Sequence, residues 1–173
     1  MNINEQFTQE VGTGKRYRFG RNWQRYLSVL NESRIGEAEK TLKSKFSINT
    51  FAGKQFLDAG SGSGLFSLAA RRLGARVTSF DYDPDSVNCT SALREKFYSD
   101  SSDWKILQGS VLDKPFLLSL GKFDYVYSWG VLHHSGNLWQ SLDNIAMNVA
   151  EKGFLFIAIY NDQGFLSKIP FSS

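Results

Sequence analysis

The sequence predicts an α/β protein: a mostly parallel, doubly wound sheet with helices on both faces, preceded by a helical segment. Three observations predict it. Five short apolar runs, about 54–58, 76–81, 104–108, 123–128 and 153–160, alternate with stretches of helical spacing. That alternation marks parallel strands joined by crossover helices. The first run ends in a glycine-rich turn, Asp58-Ala59-Gly60-Ser61-Gly62-Ser63-Gly64, which passes straight into a helical pattern at Leu65, Phe66, Leu68, Ala69 and Leu73. With 173 residues, 42% of them hydrophobic, the chain suits one compact domain that buries about two-thirds of its unfolded surface. Within it we expect residues 1–50 to form a helical cover and 51–173 the sheet domain.

From Asn22 to Phe46 the residues Trp23, Leu27, Leu30, Ile35, Ala38, Leu42 and Phe46 recur at near three-four spacing, which predicts helix. Gly36 is the expected break between two helices. The basic excess sits here: residues 1–45 hold nine Lys/Arg against five Asp/Glu, the remainder eleven against twelve. Lys15, Arg16, Arg18, Arg21 and Arg25 lie beside Tyr17, Phe19, Trp23, Tyr26 and Leu27. This is the look of a solvated face on an amphipathic cover, and it argues against a nucleic-acid partner. Phe19 and Trp23 belong either near the site or in the core. Gly12-Thr13-Gly14-Lys15 hints at a phosphate loop, but it lacks the first glycine of that spacing and Arg16 stands where Ser/Thr is needed.

The chemistry lies at the strand ends. Asp58 precedes three glycines at alternate positions, Gly60, Gly62 and Gly64. Such a turn lets a ligand approach the backbone at a helix N-terminus. Dinucleotide sites want G-x-G-x-x-G. From Gly60 the third glycine falls on Leu65, and from Gly62 it falls on Ser67. The acid before the turn would repel a pyrophosphate and suits a ligand with a cationic amino group. On the second run Asp81 stands 21 positions after Gly60, where a ribose-binding acid is expected. Pro84 then marks a helix start that Asp83 or Asp85 caps. The third run leads into Gly109-Ser110-Val111-Leu112-Asp113, with Asp113 either part of a binding turn or simply a loop acid. The fourth leads into Ser128-Trp129-Gly130-Val131-Leu132-His133-His134, followed by a helix expected over about 136–150.

Asp58-x-Gly60-x-Gly62-x-Gly64 resembles motif I of class I S-adenosylmethionine (SAM)-dependent methyltransferases. The string after the fourth strand resembles the branch that includes the ubiquinone and menaquinone biosynthesis enzymes. The likeness covers about residues 15–165. It implies a Rossmann-like sheet and SAM as cofactor, with S-adenosylhomocysteine as product. It also implies cofactor contacts from Asp58, Gly60, Ser61, Gly62, Gly64, Asp81, Tyr82, Ser110, Val111, Ser128 and Trp129. An N-terminal segment in such proteins folds over the cofactor and helps enclose the acceptor. The resemblance further implies direct displacement at the sulfonium methyl, in which orientation contributes up to about 7–11 kcal/mol and a general base about 3–5. His133 and His134, the only two histidines, fall in the loop facing the methyl. His134 is the preferred base and His133 the second candidate. The alternative is a histidine bonded locally to fix the loop. Trp129 lines the acceptor pocket or belongs to the core.

No [DN]-P-P-[YFW] string follows the fourth strand, and Cys89 has no preceding proline. This argues against amino-methylation of DNA bases and protein amides and against cytosine-C5 chemistry. A small-molecule acceptor methylated at oxygen or carbon is expected. The rivals are a SAM-binding module without catalysis and an NAD(P)-dependent oxidoreductase. Relatives carry two further strands, and the fifth run here is an unbroken apolar stretch, Phe154 to Ile159, that suits a strand buried on both faces. A shortened chain, or an edge covered by the tail, a second copy or a partner, is therefore expected. One cysteine rules out an internal disulfide and a cysteine-rich metal site; no metal is expected. No apolar run reaches about 18 residues, and the N-terminus lacks a basic-then-apolar leader, so a cytoplasmic location is expected.

Overall fold

The computed structural model describes residues 2–16, 18, 22–23, 27–99 and 102–160. In chain order the elements are α1 (Ile3–Gly12), α2 (Glu32–Phe46), β1 (Gln55–Ala59), α3 (Leu65–Arg72), β2 (Arg76–Asp81), α4 (Pro84–Tyr98), β3 (Trp104–Gln108), α5 (Lys114–Leu120), β4 (Phe123–Trp129), a 3-10 turn (Leu132–His134), α6 (Leu138–Ala146) and β5 (Val149–Ala158). All paired strands are parallel, in the order β3-β2-β1-β4-β5. The order reverses direction between β1 and β4, and a crevice opens at such a switch point off the carboxyl ends of the strands.

Two cores sandwich the sheet. On one face Ile35, Leu42, Phe51, Phe56, Leu68, Val77 and Trp104 pack together, with α2, α3 and α4 supplying the helical side. On the other, Leu57, Phe80, Val126, Leu117, Leu132 and Ile145 pack beneath α5 and α6. Alternation along β1 explains the division: Phe56 points to one core and Leu57 to the other, and both are fully buried.

The differences from the sequence expectation have local causes. α2 runs unbroken through Gly36. The chain instead leaves helix at residues 29–31, where the Asn31 side chain accepts from the Arg34 amide and starts a new helix. Asp83 caps α4 by accepting from the Asp85 amide at 2.9 Å. Asp113 is no idle loop acid: it caps α5 by accepting from the Phe116 amide at 3.0 Å, with Pro115 in the first turn. α5 and α1 were not anticipated. α1 carries an Asn2/Glu5 capping box, a signal visible in the sequence. The last helix stops at Ala146, and β5 begins at Val149 with a register shift against β4.

β5 also departs from the doubly buried strand expected. None of its residues is fully buried, and Phe154 is 55% exposed. Among the described residues nothing pairs with its outer edge, although Phe156 packs against one core and Leu155 and Ile157 against the other. Tyr17, Phe19, Arg21, Arg25 and Tyr26 lie outside the described residues. So does everything after Tyr160.

Candidate functional site

The glycine turn is built as a strand-to-helix corner. Gly60, Gly62 and Gly64 have φ of 81°, 54° and 80°, the left-handed region where a Cβ costs about 1–2 kcal/mol. Space adds a second constraint. A Cβ at Gly60 would run into the Val131 side chain, and one at Gly64 would sit 2.9 Å from the Thr90 backbone. The amides of Gly60 and Ser61 donate to the Phe80 carbonyl at 2.8 and 3.0 Å, which fastens the turn to β2. The Ser61 hydroxyl lies 3.0 Å from that of Thr90 on α4.

Asp81, at the carboxyl end of β2, holds the middle of this turn. One carboxylate oxygen accepts from the Gly62 amide and the other from the Asp83 amide, both at 2.9 Å. Burial pushes its pKa up to about 6, against the lowering effect of those two amides. Asp58 lies deeper, 2% exposed. It accepts from the Ser67 hydroxyl at 2.5 Å, and a buried chain continues through Ser79 to the Trp104 indole. Burial raises Asp58 to about 7, and the neighbouring Asp81 charge adds to this. Neither acid has a basic partner among the described residues. Asp58 is thus buried at the end of β1, bonded to Ser67 on α3.

Tyr82 follows Asp81 and is covered by α1. The Phe7 ring meets it edge-on at 5.5 Å, and the Arg16 guanidinium lies 4.8 Å from its centroid. Its hydroxyl is pushed up to about 12 by burial, with Glu10 adding to the shift and Arg16 opposing it. Gln108, ending β3, donates to Asn4 at 2.8 Å and to the Tyr82 carbonyl at 3.2 Å. The half-buried Ser110 accepts from the Leu112 amide. Val111 is buried in the second core.

Off β4, Ser128 is fully buried and donates to the Ala59 carbonyl at 2.9 Å, so its hydroxyl is spent within the sheet. Trp129 is 38% exposed. It stacks on Phe66 and Phe156 and donates to the Tyr160 hydroxyl at 2.9 Å. The two histidines share the 3-10 turn with ring centroids 4.0 Å apart. His134 is exposed. His133 is half-buried, with the Tyr160 ring edge-on at 5.3 Å. Both ring nitrogens of His133 are shielded from solvent and have no hydrogen-bond partner among the described residues. Burial lowers both imidazoles. For His134, the His133 ring and the Arg16 charge lower it further.

The structure therefore gathers Gly60, Ser61, Gly62, Gly64, Asp81 and Tyr82 around one corner. It places Trp129 at the end of β4 and His133 and His134 on the 3-10 turn beyond Val131. Two further residues lie against these groups. Trp23, left open as site or core, lays its ring 3.0 Å from the position of a Gly62 Cβ. Arg16 bonds the turn that bears the histidines, donating to the His134 and Ser135 carbonyls. Its place in a basic, aromatic stretch was legible, but its partners more than 100 residues away were not.

A profile of the methyltransferase domain family matches residues 30–169. The chain belongs to that family. Among curated relatives it is 37% identical over 83 residues to a ribosomal protein L11 methyltransferase of Prochlorococcus marinus, covering 47% of this chain and 27% of the relative. It is 28% identical over 113 residues to a ubiquinone biosynthesis O-methyltransferase of Glaesserella parasuis, covering 65% of this chain and 48% of the relative. The chain thus spans about a quarter to a half of the length of these relatives. A SAM-dependent methyltransferase from Geobacter sulfurreducens, solved in complex with S-adenosylhomocysteine, shares the fold. It has a TM-score of 0.53 at 21% identity, covering 70% of this chain and 47% of that one. Among the described residues no helix is long and apolar enough to cross a membrane.

Proposed function

We propose that the chain binds S-adenosylmethionine at the carboxyl ends of β1, β2 and β4 and transfers its methyl group to oxygen or carbon of a small-molecule acceptor. One observation carries the reading: a turn of three positive-φ glycines whose middle amide is held by Asp81, above a second buried acid, Asp58. Two carboxylates with raised pKa values and, among the described residues, no basic partner call for positive charge. The SAM ammonium and sulfonium supply it, whereas a pyrophosphate would add a third negative group. That electrostatic mismatch sets the oxidoreductase reading aside.

Each oxygen of Asp81 spends one lone pair on a backbone amide and keeps another, enough to accept two ribose hydroxyls. Asp58 acts through its charge from below the turn. Gly60, Ser61, Gly62 and Gly64 line the approach. Tyr82, Ser110 and Val111 border the adenine end. Ser128 contributes backbone and Trp129 a wall. When bound, the sulfonium supplies an activated methyl group with a good leaving group. The protein's task is then to orient the acceptor and take its proton. His133 is the better-supported base. Its ring is neutral near pH 7, and an imidazole with both nitrogens shielded and unpartnered costs about 1–3 kcal/mol until an acceptor hydroxyl or carbon acid meets it. His134 would form the outer wall of the same pocket. Residues 1–50 would serve as cover and 51–173 as the cofactor domain. The open edge of β5 is where a further strand or another subunit would complete the sheet.

Calorimetric titration with SAM, S-adenosylhomocysteine and NAD tests the reading. Micromolar affinity for the first two, about −8 kcal/mol, is expected, with none for NAD. A preference for NAD, or no binding by a folded protein, would sink it. Tight binding with no turnover across an acceptor screen would support a binding module instead.

A further inference from the structure

The N-terminal segment crosses the crevice. Asn4 meets Gln108 off β3, Phe7 meets Tyr82 off β2, Arg18 pairs with Asp85 at the start of α4, and Trp23 covers Gly62 off β1. Each of these contacts touches the half of the site built on β1, β2 and β3. Arg16 does something different. Its Nε donates to Glu10 at 3.0 Å, its Nη1 to the His134 carbonyl at 3.0 Å and its Nη2 to the Ser135 carbonyl at 2.7 Å. The guanidinium plane meanwhile lies over the Tyr82 ring. One side chain, 16% exposed, thus touches α1, the residue after Asp81 and the end of the histidine turn.

We propose that Arg16 is a positioning residue of the methyl-transfer site, latching α1 across the cofactor crevice onto the turn that carries His133 and His134. The role in transfer rests on the function proposed above; the latch rests on geometry alone. The carbonyls at the end of a helical turn have no partner within it. A forked guanidinium satisfies two at once and fixes the turn's direction, which a lysine ammonium cannot do with the same geometry. Glu10, from the last turn of α1, ties the fork to the helix. Closing the segment and fixing the histidine turn are therefore one event. Cofactor exchange requires the two carbonyl bonds to break.

The test compares Arg16→Ala, Arg16→Lys and Arg18→Ala in the full chain. It uses hydrogen exchange, the two histidine ring signals by NMR, and release of S-adenosylhomocysteine by stopped flow. In the free protein, Arg16→Ala should raise exchange in residues 3–12 and 131–136 together by about tenfold and shift both histidine signals. S-adenosylhomocysteine should leave about tenfold faster, since residence time is where such contacts act. Arg16→Lys should fall between wild type and Arg16→Ala. Arg18→Ala should leave the histidine signals in place. Should Arg16→Ala fail to fold, Glu10→Ala removes the acceptor of Nε and carries the same comparison with a smaller effect. Histidine signals unmoved by Arg16→Ala, or exchange that rises in α1 without rising in the turn, would overturn the latch. A wild-type protein with no affinity for S-adenosylhomocysteine would remove the cofactor reading, while exchange and ring signals in the free protein would still decide the latch.

Discussion

At the carboxyl ends of β1 and β2 the turn is closed by groups that lie close together in a regular frame. The amides of Gly60 and Ser61 reach the Phe80 carbonyl on the adjacent strand, Gly62 reaches Asp81, and the residues beneath are fully buried. At the carboxyl ends of β4 and β5 the loop is held by long side chains from distant parts of the chain. Trp129 leans on Tyr160, and Arg16 reaches the histidine turn across 118 residues of sequence. The strand beneath has no fully buried residue and, among the described residues, no partner on its outer edge. Backbone bonds fix the first region, whereas the second is held by a few side-chain contacts that can break without loss of the sheet. A fixed cradle suits one cofactor, and an adjustable wall suits an acceptor that must enter and leave.

Breaking the rigid side should cost most. Gly60→Ala places a Cβ at positive φ against Val131. Strain and overpacking together should cost about 3 kcal/mol, read as a lowered urea midpoint at unchanged slope. Next, Asp81→Ala leaves the Gly62 and Asp83 amides without an acceptor and should weaken SAM binding by about 1–3 kcal/mol. Unchanged affinity in a calorimetric titration would remove the ribose assignment.

The pair of buried acids also predicts a pH dependence. Asp58 ionises near 7 in the folded protein but near about 3.9 when unfolded. Between those values the native state holds a proton that the unfolded state has lost, so stability falls as pH rises from about 4 to 7. Asp58→Asn should lessen that fall in thermal midpoints taken between about pH 4 and 8, leaving the part due to Asp81, which burial raises to about 6. A cationic cofactor above Asp58 should lower its pKa, so binding near pH 6 should release protons. Titrations in buffers of different ionisation enthalpy would detect the release.

On the adjustable side, His133→Ala should lower turnover by about 10²-fold and leave SAM affinity nearly intact. His134→Ala should do less. The reverse ranking would make His134 the base. The smallest effect belongs to Arg18→Ala. The Arg18 side chain is 41% exposed in its pair with Asp85, and the loss should stay below about 1 kcal/mol in a denaturation midpoint.

The sequence by itself determined the parallel α/β sheet, the glycine corner and the spacing of Asp81 from it. It also marked the end of β4 as the place for the histidines. Strand periodicity and glycine spacing are local properties, readable within a few residues. It misplaced the start of α2, because Gly36 is tolerated inside a packed helix while Asn31 offers a cap. It passed over α5, whose seven residues are too few to show a period. Only the tertiary structure decided that Asp58 is almost fully buried, that the Ser128 hydroxyl is consumed by Ala59, and that, among the described residues, His133 rather than His134 is left with shielded, unpartnered nitrogens. Only it brought Trp23 to Gly62 and Arg16 to the histidine turn. Burial and partnership depend on which segments meet in space, and no local pattern records a contact made across more than 100 residues.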